Sequence, residues 1–311
     1  MKKKKLLIIL LLFLTISMTG CTKILKDDKK QAVTNPETGQ SLPENVLCRP
    51  KAEKTLEIYK EYDVNIKKLP ICSEFKITSG GYEGIWTTIF VKPLAWVIIK
   101  IGELVKNYGL AVIIITFLIR LIMVPVTKKT AMQSENLVKA RPELDRLEKK
   151  YKNKTDQESM MQKSQEMLMI YKKYDINPMS GCLFSFIQIP LFFAFYEALN
   201  RLPVVFEETL GIFQLGTSPL VAMKSGNFYY LIFVVLVILV TYFSFKLNSG
   251  ASMSEEQASQ MKMMSNIMVI MISIMSFTIS TGIALYWIVN SGFTVLQNLY
   301  VKRSKKNARN N

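Results

Sequence analysis

Arg120 lies inside an apolar run. Residues 108–127 read YGLAVIIITFLIRLIMVPVT, about 20 residues, the length that crosses a bilayer as a helix. A cation near the bilayer centre costs roughly 2.5–3.5 kcal/mol on insertion scales. The run holds no Asp or Glu to neutralise it. The side chain must therefore face protein, a wet cavity or an interface, and an intramembrane functional site is the reading that follows. Thr116 stands four residues before Arg120 and shares its helical face, which Met123 and Thr127 continue. Other apolar runs carry neutral polar groups: Gln188, then Thr241 and Ser244, then Asn290 and Gln297. Such groups serve as interhelical hydrogen bonds or as the lining of a polar path. Glu197, near the end of its run, is expected in solvent, and Glu103 at a membrane interface.

The absence of any His excludes histidine general-base catalysis, His-based metal sites and His pH switching. There is no P-loop pattern. No Asp lies within an apolar run, which leaves an intramembrane protease without its usual groups. The expectation is a protein that is not an enzyme, with no cofactor and no metal.

These groups must be positioned by helices in a membrane. The chain has 311 residues, half of them hydrophobic, gathered into several long apolar runs, and a formal net charge of +16. Residues 1–20 read as a signal peptide: Lys2 to Lys5 form a charged region, and Leu6 to Ile16 an apolar stretch too short to span comfortably. The sequence Met18-Thr19-Gly20-Cys21 resembles a bacterial lipobox with Cys21 as the site of lipid attachment. Residues 21–84 are polar, rich in Lys and broken by four prolines; they read as an extracytoplasmic tether with one short helix, TLEIYKEY. In that compartment Cys48 and Cys72 could pair or remain free thiols. Cys182, at the start of an apolar run, reads as a packing residue.

Residues 85–106 carry two Trp and several Lys among apolar residues and suit a helix lying in the membrane interface. The first span, 108–127, follows. Residues 128–177 are charged and helical in pattern, with Leu144, Leu147 and Tyr151 on one helix and Met160, Met167, Tyr171 and Tyr174 on the next. Thr155 and Glu158 suit a capping box opening the second helix, so a helical hairpin outside the bilayer is expected. Span two covers 182–199, a loop 200–227, and span three 228–247. The nearly continuous apolar stretch 263–301 is about twice too long for one crossing and must turn near Gly282, giving spans 263–281 and 283–301. The fold class is an all-α polytopic membrane protein with five transmembrane helices after signal removal.

Charge orients these spans. Residues 128–177 carry about 12 Lys/Arg, the loop 200–227 only Arg201 and Lys224, and the tail 302–311 is basic. The positive-inside rule puts hairpin and tail in the cytoplasm and the loop outside. Five spans from an outer lipidated N-terminus end on the same side.

IIITFLIRLIMVPVTKK, then a charged hairpin, then NPMSGCLFSFIQIP, then IALYWIVNSGFTVLQ resembles the YidC/Oxa membrane protein insertases over roughly residues 85–303. The lipobox and five-span layout resemble the Gram-positive form. Phe184 and Thr281 stand where the family commonly has Pro. The resemblance implies a hydrophilic groove in the membrane, open to the cytoplasm and closed to the outside, with Arg120 as its central charge. Thr116 would line it, Tyr286 and Trp287 would match an aromatic pair that contacts substrate, and Gln188 and Gln297 would add polar groups. Implied partners are nascent membrane proteins, the ribosome through the basic tail, the Sec translocon, signal recognition machinery and the lipid bilayer. Two other readings compete from residues alone. A transporter with Arg120 as an anion site would usually show internal repeats, and none is visible. A passive anchoring lipoprotein would not need polar groups in its spans.

Overall fold

The computed structural model describes residues 22–177, 179–248 and 255–310. Residues 1–20, expected as a signal peptide, Cys21 and Pro178 lie outside the described residues. The fold is mostly helical. Its elements in order are α1 (Glu53–Glu61), α2 (Lys92–Val105), α3 (Tyr108–Tyr151), α4 (Gln157–Lys173), α5 (Met179–Arg201), α6 (Pro203–Phe206), strands β1 (Thr209–Leu210) and β2 (Phe213–Gln214), α7 (Pro219–Lys224), α8 (Leu231–Asn248), α9 (Glu255–Met275) and α10 (Thr281–Asn310). Among the described residues, Tyr108–Lys129 and Phe228–Leu247 are long and apolar enough to cross a membrane, and Lys262–Met275 is a shorter apolar stretch. The described residues form two compact units, one drawn from 1–117, 189–234 and 276–287 and the other from 118–188, 235–275 and 288–311.

In the first unit, residues 22–84 are not a bare tether. Leu25, Leu42, Val46, Tyr59 and Ile66 form a buried cluster with Phe206 from α6. Short antiparallel bridges, Ile24 with Pro43 and Thr34 with Ser41, fold the strand-poor segment back on itself. Cys48 and Cys72 are joined in a disulfide. The N-terminus of α1 takes its cap from elsewhere in the chain: the Glu207 carboxylate accepts from the backbone N–H groups of Lys51 (2.9 Å) and Ala52 (3.3 Å). A carboxylate there satisfies donors that a helix start leaves unpaired. Burial still pushes the Glu207 carboxyl above the usual carboxylate range.

Four charged side chains fasten this segment to α5. Arg201 is 1% exposed. Its Nε donates to the Asn45 carbonyl (2.6 Å), one terminal nitrogen to Glu197 Oε1 (3.0 Å), and the other to Glu83. Trp86 Nε1 donates to the second Glu197 oxygen at 3.0 Å. Lys92, expected among the interfacial charges, is fully buried; its Nζ meets Glu83 (3.0 Å) and the carbonyls of Ser79 (2.7 Å) and Gly81 (2.6 Å). All three ammonium donors are thereby used, which is what permits the burial. Glu197, expected in solvent, is 5% exposed for the same reason. Trp86 is buried too, whereas Trp96 keeps an exposed ring suited to an interface. The backbone winds as a π-helix over Thr87–Val91 before α2 begins.

Beyond α5, Phe213 of the β1–β2 hairpin packs edge-on to Tyr230 and Phe233. The apolar stretch expected to turn at Gly282 turns earlier, between Met275 and Thr281. Gly282 lies inside α10, where its N–H donates to the Leu215 carbonyl at 2.9 Å. A Cβ there would stand 3.2 Å from Val205 Cγ1, so the position favours a residue without one.

In the second unit, the C-terminal part of α3 lies antiparallel to α4. Lys150 pairs with Glu166 (2.6 Å) and Lys173 with Glu143. Ala140, Leu144 and Tyr171 make the buried seam, with Met167 and Tyr174 against it. Met160, placed on this face by periodicity, is exposed instead. The cap of α4 is Asp156, one residue later than the Thr155 capping box; its carboxylate accepts from Ser159 N–H at 2.8 Å. Helix α3 runs unbroken through Pro125 and Pro142, so span and hairpin arm are one helix.

Candidate functional site: a buried arginine and two polar rungs

Helix α3 buries Arg120 because its neighbours are apolar and the α10 residue facing it is not. Arg120 is 3% exposed, and its Nε donates to Asn290 Oδ1 at 2.7 Å. Seven residues further along both helices, Gln297 Nε2 donates to Thr127 Oγ1, also at 2.7 Å. Each rung joins residues 170 apart, so the second-unit parts of α3 and α10 run in the same direction, in register. Seven residues are about two turns, roughly 10.5 Å of helix. Thr127 also back-bonds to the Met123 carbonyl at 3.0 Å, which orients its hydroxyl oxygen. Gln188 belongs to this unit as well, and its Oε1 has no hydrogen-bond partner among the described residues.

The other expected site residues fall in the first unit. Thr116 is buried and spends its hydroxyl on the Val112 carbonyl of its own helix, at 2.6 Å. Tyr286 stacks on Phe195 with centroids 4.3 Å apart, and Trp287 meets Phe192 edge-on at 5.4 Å. Phe192 also touches Tyr286, at 6.2 Å. Tyr286 is buried, while Trp287 keeps part of its surface open. The pair thus divides into a packing ring and a presenting ring.

Two residues entered this arrangement unassigned. Asn290 was visible only as a polar residue in an apolar run, and Thr127 only as a residue on the helical face of Arg120. The signal that links them to Arg120 and Gln297 is the shared offset: Arg120 to Thr127 and Asn290 to Gln297 are both seven residues. Chemically, a fixed cation held by a neutral amide can attract an anion but cannot shuttle a proton. Among the described residues no cluster of His, Cys, Asp and Glu could hold a metal ion.

A helical membrane protein with a charge built into an apolar helix is the class these features define. The family model for the 60Kd inner membrane protein matches residues 100–309, and the chain belongs to that family. Membrane protein insertase YidC of Oceanobacillus iheyensis is 33% identical over 226 residues, covering 71% of this chain and 85% of its own. Membrane protein insertase MisCA of Bacillus subtilis is 31% identical over 218 residues, covering 70% and 79%. A crystal structure of active YidC insertase with its first transmembrane domain resolved shares the fold, with a TM-score of 0.50 at 24% identity over 78% of this chain and 52% of that one. These relatives are named for insertion, not for an enzymatic reaction. Residues 22–84, with their disulfide and buried core, precede the stretch that the family model matches.

Proposed function

We propose that this protein inserts membrane proteins into the lipid bilayer, and helps them fold, through a hydrophilic groove centred on Arg120. The observation that carries the reading is a buried arginine in an apolar helix, with its Nε donating to the neutral side chain of Asn290. The relatives' insertase names support it. An incoming chain must bring a polar segment into the membrane while its apolar segment enters lipid. A wet groove shortens the low-dielectric path, and Arg120 attracts an acidic tail in transit. Burying the apolar segment in lipid, at ~0.8 kcal/mol per CH₂, supplies the driving force without nucleotide or covalent chemistry. Thr116, Gln188 and Gln297 line the path, and Trp287, backed by Tyr286, contacts the passing segment.

The accompanying topology is five spans, with Cys21 lipidated outside and the hairpin and basic tail in the cytoplasm. The parallel course of α3 and α10 agrees with both crossing from outside to inside. The hairpin meets substrates and targeting factors such as the signal recognition machinery, the tail approaches the ribosome, and the protein works alone or beside the Sec translocon. The test is reconstitution into liposomes with a small, acidic-tailed membrane protein as substrate, scoring protease protection of the tail. Wild type is expected to protect it and Arg120→Ala, at equal protein level, to lose most of that protection. Equal protection by both would overturn the role given to Arg120.

A further inference from the structure

We propose that residues 71–82 are a second membrane-contacting element, strapped along α2 and resting on anionic lipid beside the point where the first span begins. Two lysines of α2 hold the strap. Lys100 Nζ donates to the Ser73 carbonyl at 3.0 Å, and Lys92 Nζ to the carbonyls of Ser79 (2.7 Å) and Gly81 (2.6 Å). Lys92, Trp96 and Lys100 stand four residues apart and share one stripe of the helix. The strap therefore runs antiparallel to α2 along that stripe. Near its start it is anchored by the Cys72 disulfide and by the buried Phe75. It then turns: Ser79 N–H donates to the Lys76 carbonyl (2.9 Å) and Lys76 N–H to Ser79 Oγ (3.0 Å). Ile77 sits at the tip of this turn and is 38% exposed, with Ile71 at 43% and Tyr82 at 73%. A pinned turn displays these side chains to whatever lies outside it.

Three observations point to a bilayer as that neighbour. Residues 67–82 hold three exposed lysines, Lys67, Lys68 and Lys76, against one carboxylate, Glu74. Lysines among exposed apolar and aromatic side chains suit a surface that rests on anionic headgroups. Trp96, on the stripe the strap follows, keeps its ring exposed at the same helix. Finally, α2 ends at Val105, and Tyr108–Lys129, long and apolar enough to cross a membrane, begins three residues later. The corner between them is tight, since a Cβ on Gly102 would overlap the Tyr108 ring. Helix and strap are thereby kept close to the level at which the span starts. The proposal depends on that span crossing a bilayer and not on the insertase reading.

The test uses the full-length protein in liposomes of phosphatidylcholine and phosphatidylglycerol whose acyl chains carry bromine, a quencher of indole emission. Ile77→Trp and Tyr82→Trp each add an indole at an exposed site, and the emission gained over wild type is read. Bromine in both leaflets makes the reading independent of how the protein is oriented. Glu57→Trp, at an exposed position of α1 outside the strap, is the control. The brominated lipid is expected to remove most of the gained emission at 77 and 82 and little of it at 57. Replacing phosphatidylglycerol with phosphatidylcholine is expected to weaken the quenching at 77. Lys67→Gln, Lys68→Gln and Lys76→Gln together should abolish that dependence on lipid charge. Emission at 77 and 82 quenched no more than at 57 overturns the proposal. Equal quenching at 77 in both lipids overturns the preference for anionic headgroups. Neither result touches the insertase reading, which is scored by protection of a substrate tail.

Discussion

Removing the Arg201 side chain should unfasten residues 22–84 of the first unit, and the structure says where the cost falls. Arg201→Met keeps much of the aliphatic packing and deletes three donated bonds, to Asn45, Glu197 and Glu83. Glu83 retains Lys92. Among the described residues Glu197 retains only the Trp86 indole on its other oxygen, so its buried Oε1 is left without a donor. Breaking a buried pair from one side typically costs ~3–5 kcal/mol, because the surviving charge stays desolvated. Most of that cost should therefore be recovered in the double variant Arg201→Met, Glu197→Gln, in which no lone charge is buried and the amide oxygen can still accept from Trp86. Thermal or denaturant unfolding of the purified protein in detergent, followed at the Trp86 environment, measures both. A single variant within about 1 kcal/mol of wild type, well below the range for buried pairs, would refute the reasoning. So would a double variant no more stable than the single.

Reduction of Cys48–Cys72, or Cys48→Ser with Cys72→Ser, should lower the stability of the same segment by ~3.5 kcal/mol on a chain-entropy basis for its separation of 24 residues, measured by unfolding with and without reductant. The hairpin of the second unit should open in acid. Hydrogen bonds from Lys173 and Lys150 hold the Glu143 and Glu166 carboxyls below their ordinary values. Groups depressed by folding stabilise above the unfolded value, about 4.3 for Glu, and that stability is lost as pH falls through the folded value. Spin-label distances between α3 and α4 should lengthen in that acid range, and Glu143→Gln with Glu166→Gln should abolish the dependence. A distance that stays constant in acid would count against the ion pairs as the clasp.

Much of the second unit is legible in the chain. Arg120 stands out because an uncompensated cation in an apolar run has few tolerable environments. Leu144, Leu147 and Tyr171 show the seam of the hairpin through their periodicity. What could not be read are contacts between segments distant in sequence. Nothing near Lys92 or Arg201 announces burial, since the carbonyls of Asn45, Ser79 and Gly81 that receive them carry no signature in residue type. Glu197 looked solvated because only Arg201 lies near it, one turn on in the same helix, while its other partner, Trp86, is 111 residues away. The core of residues 22–84 was hidden for a related reason. Its apolar residues follow neither a helical nor a strand period, and its bridges are isolated single pairs. Asn290 was visible as a polar residue, but its partner became identifiable only through the helix register.

The core of residues 22–84 has a consequence for how the chain is made. Leu25, Leu42, Val46, Tyr59 and Ile66 need Phe206, and α1 needs the cap from Glu207. Phe206 is synthesised 140 residues after Ile66. At ~5–20 residues per second, roughly 7–28 s pass between the two. During that interval the segment can close its disulfide, a local event, but it cannot complete its core or bury Arg201. The first part to be translated is thus among the last to mature. Because these contacts are so far apart along the chain, their formation is also intrinsically slow. This N-terminal segment finishes folding only after α5 and the loop beyond it have been made, so its completion reports on the arrival of the middle of the chain.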